Sequence, residues 1–397
     1  MKILGIETSC DETAAAVVED GTQILSNVVV SQIDIFAEYG GVIPEVAARS
    51  HLEAMMPVVN KALSDAGCTW EDIDAIAVTH APGLLGSLLI GTLTARTLAI
   101  LHDKPLYAVH HLKSHVYANW LSSTKETKPV FSSETAGSGA HILSRAASAR
   151  PIAMGGRRLS SPCQAPEALR KNVEHHPPIA QTPQFPLIAL VISGGHTQIL
   201  YMPAHNQFEI IGTTRDDAVG ECFDKVAKIL GLPYPGGPAI AKAALEGDAE
   251  KYKLPHPKIE GLDFSFSGLK TAVLRAVQKE LGLPISHPSY DLKNHLSKKQ
   301  VADFAASFQK TAVEILCEKL ALTLEQYPDV QSVVIAGGVS ANKALREALP
   351  EAYFPAPSLS GDNGAMVAAA AYYEIISGVE PTDPYSLNIY PRISIEK

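Results

Sequence analysis

The sequence predicts an α/β protein of two similar lobes facing one another across a cleft. Three observations carry that expectation. Strand, small polar turn, strand at residues 3–18 is echoed at 185–200, and a buried strand whose Gly-rich end feeds a helix at 73–100 returns at 332–342. The third is composition: 46% of the residues are hydrophobic but only 6% aromatic, which suits aliphatic α/β cores better than β-sandwiches. Lobes built this way place their turns along the cleft between them.

In the first half, Ile3 to Ser9 reads as a strand, Cys10-Asp11-Glu12-Thr13 as a turn and Ala14 to Val18 as its partner strand. The hydroxyls and acids of that turn suit a hairpin tip that meets a phosphate or its metal, although an ordinary hairpin looks the same. Tyr39 to Pro44 is a loop, followed by a helix from Glu45 through Ala62 in which Arg49 and His51 read as solvated. Ile73 to Thr79 is a buried strand, and the bend His80 to Ser87 opens a long apolar helix through Leu101. Backbone amides at such a strand-to-helix turn form an anion site.

Leu106 to Val109 is a further short strand, and His110-His111-Leu112-Lys113-Ser114-His115 follows it. On a helix, positions i and i+4 stack on one face, so His111 and His115 can offer two neutral nitrogens to one ion while His110 packs elsewhere. Taken alone, the spacing is also that of an ordinary surface helix. The best third ligand is Asp362, in the polar turn Ser360-Gly361-Asp362-Asn363-Gly364 before an Ala-rich helix. Two imidazoles and one carboxylate would leave coordination positions open, as in iron or zinc sites that do chemistry.

From about Leu121 to Gln184 hydrophobic periodicity disappears, and eight Lys or Arg face four Asp or Glu. Disorder is the default for such a stretch, with a lid or an RNA-binding arm as the sharper options. Order returns with Phe185 to Leu200, which includes Ser193-Gly194-Gly195-His196-Thr197. Thr213 to Lys225 is a loop entering a helix that carries Asp224, and Tyr234-Pro235-Gly236-Gly237-Pro238 is a tight turn whose glycines allow close approach of a ligand.

A net charge of −9 over 397 residues argues against coating nucleic acid by bulk electrostatics. Five cysteines without CxxC spacing suit a reducing compartment, and neither a signal peptide nor a span of roughly 18 apolar residues is evident, so a cytoplasmic protein is expected.

The motifs Gly5-Ile6-Glu7-Thr8-Ser9-Cys10-Asp11-Glu12-Thr13, Gly40-Gly41-Val42-Ile43-Pro44-Glu45, Pro82-Gly83-Leu84, His111 with His115, Ser193 to Thr197, Asp216 to Lys225, Pro235 to Pro238, Phe264 to Thr271, Gly337 to Asn342 and Asp362 to Met366 occur in one order. Together they resemble the tRNA adenosine threonylcarbamoyltransferase family, formerly described as O-sialoglycoprotein endopeptidases. The resemblance covers residues 1–120 and 186–375.

That resemblance implies the actin/Hsp70/sugar-kinase (ASKHA) fold, with lobes at 1–120 and 186–362 and a C-terminal helix and tail at 363–397 packing back towards the first lobe; about the Ser/Ala/Pro-rich basic insertion at 121–185, expected to be disordered or a lid, it says nothing. It implies one iron or zinc ion on His111, His115 and Asp362, and threonylcarbamoyl-adenylate held by Val191, Ile192, Ser193, Gly194, Gly195, Asp224, Gly237 and Asn342. ATP or another adenine nucleotide is a further expected occupant of the cleft. The implied reaction moves the threonylcarbamoyl group to the N6 amine of the adenosine 3′ of the anticodon in tRNAs reading ANN codons. The implied partners are tRNA, a shorter paralogous subunit and a small ATPase.

Three features depart from the family pattern: Lys113-Ser114 replaces Glu-Gly between the histidines, Ala241 replaces an acid after the PGGP turn, and the 121–184 insertion is atypical. Lys113 beside the site would either repel the metal or face RNA. A metalloprotease would need a Glu after the first histidine, where Leu112 stands. A small-molecule kinase on the same fold has no need of the metal trio, and a non-catalytic scaffold would be expected to have lost part of it.

Overall fold

The computed structural model describes residues 1–123 and 182–396. Hairpin patterning at the N-terminus gives β1 (Lys2–Glu7), β2 (Glu12–Glu19) and β3 (Gln23–Ser31), an antiparallel meander, to which β4 (Ala75–Ala81) and β5 (Leu106–His110) add in parallel beyond β1. The second sheet repeats the plan. β7 (Leu187–Ile192), β8 (Thr197–Met202) and β9 (Glu209–Thr213) form the meander, and β10 (Ser332–Ala336) lies parallel beside β7 as β4 lies beside β1. This duplicated arrangement is the pair of similar α/β lobes that the repeated sequence pattern predicts, and it agrees with the ASKHA fold that the family resemblance implies.

Helices α1 (Ile33–Tyr39), α2 (Pro44–Ala66) and α3 (Leu85–Leu101) belong to the first lobe, with α2 and α3 on the outer face of its sheet. The start of α2 follows from Pro44 at its first position, and its end from Gly67 in a left-handed conformation. The short α1 carries no strong periodicity and was not anticipated. His51 of α2 is also not the solvated residue expected: it is fully buried, hydrogen-bonded to Thr13 Oγ1 at 2.8 Å and to the Cys10 carbonyl at 3.0 Å. It ties α2 to the first hairpin.

The outer face of the second sheet is covered by α5 (Val219–Leu230), α7 (Ser267–Glu280) and α8 (Lys298–Gln326), with α6 (Gly236–Ala244) packed on α5 and α8 and α9 (Lys343–Ala348) on α8. Between the sheets lie α4 (His111–Tyr117) and α10 (Gly364–Ile376), sharing one core with the inward faces of β1, β2, β7 and β10. The order of layers is therefore helices, sheet, two helices, sheet, helices. Ala365 to Ala371, all fully buried, allow α10 to sit close to the first sheet.

Of the segment expected to be irregular from Leu121, Ser122–Ser123 forms β6, a two-residue strand paired with β3. The lid, arm or disorder expected for the remainder concerns residues 124–181, which lie outside the described residues.

The tightest point of the inner layer is the approach of α10 to β1 and β2. A Cβ on Gly364 would stand 2.6 Å from the Ala16 nitrogen, and one on Gly5 would stand 2.2 Å from the Gly364 carbonyl oxygen. Backbone cannot yield there as a side chain would. Gly364→Ala should therefore destabilise the protein by about 3 kcal/mol, at the upper end of overpacking costs, seen as a lower denaturant midpoint at unchanged slope.

Candidate metal centre and cleft

Strand β5 delivers His110 to the interlobe layer, where its Nδ1 accepts a hydrogen bond from the Leu112 amide at 3.3 Å and caps α4. The cap fixes the helix phase. His111 and His115 then share one face, with ring centroids 4.6 Å apart and planes at 76°. His110 does what its position predicts: its Nε2 lies 3.3 Å from the Ile393 carbonyl of the C-terminal strap.

Asp362 arrives from the other end of the chain, on the turn leading into α10. Its Oδ1 lies 3.1 Å from His115 Nε2 and 3.6 Å from His111 Nε2. Asn363 holds the turn by donating to the Leu359 and Gly361 carbonyls and accepting from the Met366 amide. Arg346 fixes the preceding segment through the Pro355 carbonyl and Ser360 Oγ.

Two observations test whether a metal fits. Both nitrogens of His115 are buried without a hydrogen bond, Nε2 lying within ion-pair distance of Asp362 but not aligned for one. That is unusual for an imidazole 1% exposed. The second is Glu7, whose Oε2 lies 3.1 Å from His111 Nδ1. A carboxylate on Nδ1 fixes the tautomer with the proton there and leaves Nε2 to a metal. Ligand atoms of His111, His115 and Asp362 all lie within 4.8 Å of one another, so the trio fits an ion.

The electrostatics agree. Burial opposes a charged His111, but Asp362 and Glu7 outweigh it and push its pKa up to about 9. Burial likewise opposes an ionised Asp362, yet His111 and His115 hold it at about 2. Burial, then His111 and His115, lower His196 to about 4, so it stays neutral beside the trio. A dication here would take over the role that the His111 proton plays in neutralising the two carboxylates.

Glu7, Ser9 and His196 were not assigned roles from sequence. Glu7 carried a signal: it is the acid that closes the apolar run Ile3 to Ile6 of β1, fully buried, accepting from Ser9 N at 2.5 Å and Thr79 Oγ1 at 2.6 Å. Lys113 neither faces the trio nor reaches outward. Its ammonium is 3.8 Å from Glu374 Oε1 and 3.4 Å from Asn206 Oδ1, lying over the Phe208 ring.

His111 and Asp362 open onto a cleft of about 1310 Å³ lined also by the hairpin tip Ser9 to Glu12, by Ser193 to His196, and by Asp224, Gly237, Ala241 and Asn342. A Cβ at Gly194, Gly195 or Gly237 would meet nothing within 4 Å, so packing does not demand glycine there and the space is free for a ligand. Asp224 accepts from the Gly236 amide at 2.6 Å and braces the turn opening α6, and Asn342 caps α9 while donating to Gln309. Val191 and Ile192 do not present their side chains to the cleft. Both are fully buried in β7, with side chains in the cores on either side of the sheet, and the cleft wall begins at Ser193.

Comparison with known proteins places these features in a family. The family model for tRNA N6-adenosine threonylcarbamoyltransferase matches residues 23–154 and 167–369. The tRNA N6-adenosine threonylcarbamoyltransferase of Symbiobacterium thermophilum is 44% identical over 402 residues, spanning 99% of this chain and 96% of that one. That of Thermomicrobium roseum is 42% identical over 392 residues, spanning 96% and 93%. Among solved structures, component A of the (R)-2-hydroxyglutaryl-CoA dehydratase of Acidaminococcus fermentans is 15% identical with a TM-score of 0.43, over 95% of this chain and 99% of that one, too remote to carry an argument. The chain belongs to the tRNA N6-adenosine threonylcarbamoyltransferase family, and is a transferase acting in tRNA modification.

Proposed function

We propose that the cleft binds threonylcarbamoyl-adenylate and passes its threonylcarbamoyl group to the N6 amine of the adenosine 3′ of the anticodon in tRNAs reading ANN codons. The observation that carries this reading is the meeting of His111, His115 and Asp362 at the wall of a cleft whose glycines leave unfilled space. In the transfer, N6 attacks the carbamoyl carbon, the C–O bond to phosphate breaks, AMP leaves, and the amine loses a proton. The anhydride is already activated, so no covalent nucleophile is needed.

His111, His115 and Asp362 would hold iron or zinc, since two nitrogens and one oxygen suit either. The ion would supply Lewis acidity towards the carbamoyl oxygen. The strand end and turn from Val191 and Ile192 through Ser193, Gly194 and Gly195, with Asp224, Gly237 and Asn342, would hold the adenylate. Amides at 193–195 would offset charge on the departing phosphate. Asp224 would keep the 236–238 turn in register for the nucleoside, in the space that another adenine nucleotide would also fill. An aromatic amine is a weak nucleophile, so positioning it should supply much of the acceleration.

We further propose the lobe boundaries 1–120 and 186–362 and a C-terminal unit from 363. A shorter paralogous subunit and a small ATPase are the proposed partners. The exposed Leu52, Met56, Leu85, Leu89 and Leu93 on the adjacent helices α2 and α3 support an apolar docking face on the first lobe. Among the described residues no helix is long and apolar enough to cross a membrane, and the cytoplasm, where tRNA is modified, is the proposed site of action.

Mass spectrometry of the nucleoside formed from threonylcarbamoyl-adenylate and unmodified tRNA tests the reading. His115→Ala and Asp362→Ala should each lower turnover about 1000-fold, the scale of a lost Lewis acid, with unchanged circular dichroism. Unchanged turnover in either variant would remove the metal from the mechanism. Glu7→Gln keeps the three ligands but loses the carboxylate on His111. Its metal affinity, measured by competition with a chelator, should fall by about 10- to 100-fold, and an unaltered affinity would show that Glu7 does not orient the imidazole.

A further inference from the structure

The loop between α7 and α8 carries His287, Asp291 and His295, each four residues after the last, and none of the three lines the cleft. Asp291 Oδ2 lies 2.9 Å from His287 Nε2 and 3.0 Å from His295 Nε2, and the imidazole centroids stand 5.7 Å apart at 77°. The ligand atoms of all three lie within 4.8 Å of one another. Neighbouring donors at about 2.0 Å from a tetrahedral zinc are separated by about 3.3 Å, so only small movements would exchange these two contacts for coordination.

The loop is built to hold the arrangement. Gln278 donates to the Ile285 and His287 carbonyls, Arg275 donates to Ile285, and the 3₁₀ turn Leu292–Asn294 is anchored by the fully buried Leu292. Asn294 donates to Asp291 Oδ1 at 2.9 Å, which turns the other carboxylate oxygen towards both rings. A ligand carboxylate oriented by its own hydrogen bond is the usual support of a metal site. The side chains are 21% (His287), 34% (Asp291) and 46% (His295) exposed, so an ion has access and water can complete its coordination.

We propose that His287, Asp291 and His295 form a second metal site, one for zinc or a similar borderline transition ion, which pins the α7–α8 loop. Two imidazoles select against magnesium and calcium, which prefer oxygen ligands. The site is independent of the transfer reaction and of the centre at His111.

The test is zinc stoichiometry by equilibrium dialysis of the chelator-stripped full chain against zinc chloride in the presence of millimolar magnesium. Wild type should bind two equivalents. The double variant His287→Gln with His295→Gln, which keeps hydrogen bonds to Asp291 but removes the imidazoles, should lose one, as should His111→Ala with His115→Ala. Loss of an equivalent only in the His287 and His295 variant would support this site while contradicting the centre in the cleft. Equal stoichiometry in wild type and that variant would overturn the proposal. As a second readout, zinc should slow amide exchange across residues 284–296 in wild type and in the His111 and His115 variant, but not in the His287 and His295 variant; no slowing in wild type would count against the site.

Discussion

Glu7, His111 and His115 are buried and Asp362 is half-buried beside them where the two lobes meet, and charges in such a place are tolerable only when each has a partner. Much of the architecture follows from that requirement. Glu7 comes from β1, the histidines from α4 and Asp362 from the turn before α10, so the partners are supplied only when both inner helices are seated between the sheets. The run of alanines in α10 and the glycine contact between Gly5 and Gly364 make that seating close enough. Removing one of these four groups would leave the others as uncompensated buried charge, unless an ion takes its place.

The division of labour within the cleft follows the same logic. Side chains on the inner layer are neutralised by one another, and the walls beyond them are made largely of turns with open backbone. Gly194, Gly195 and Gly237 leave room where a Cβ would meet nothing, whereas Gly220 and Gly236 are required by the chain itself, because a Cβ there would fall 2.5 Å from the Ser193 oxygen and from Asp224 Cα. The first set leaves open space along the cleft. The second set brings the turns together.

Much of this was legible in the sequence because local pattern and tertiary arrangement agree. The short, largely apolar runs that became β1, β2, β7 and β8, and the Gly-rich strand ends at Ala81 and Ala336, declare their structure within a few residues. The spacing of His111 and His115 declares a shared face. What stayed hidden depends on distant contacts. His51 looks like any helix-surface residue until the carbonyl of Cys10 is placed beside it. Lys113 looks like a threat to the metal until Glu374, far along the chain, is seen to take its charge. Val191 and Ile192 belong to a conspicuous motif, but the alternation of a buried strand sends their side chains into two cores, and only from Ser193 does the chain turn to the cleft. Glu7 was the most readable of the omissions, as an acid directly after the apolar run Ile3 to Ile6.

The central claim is that groups distant in sequence share one ion at the wall of the interlobe cleft. It is tested most directly by anomalous diffraction at the metal edge, on crystals of protein with proven transferase activity. The account predicts a peak bonded at about 2.0–2.2 Å to His111 Nε2, His115 Nε2 and an Asp362 carboxylate oxygen, with at least one coordination position turned to the cleft. Active protein with no anomalous density between those three side chains would contradict it.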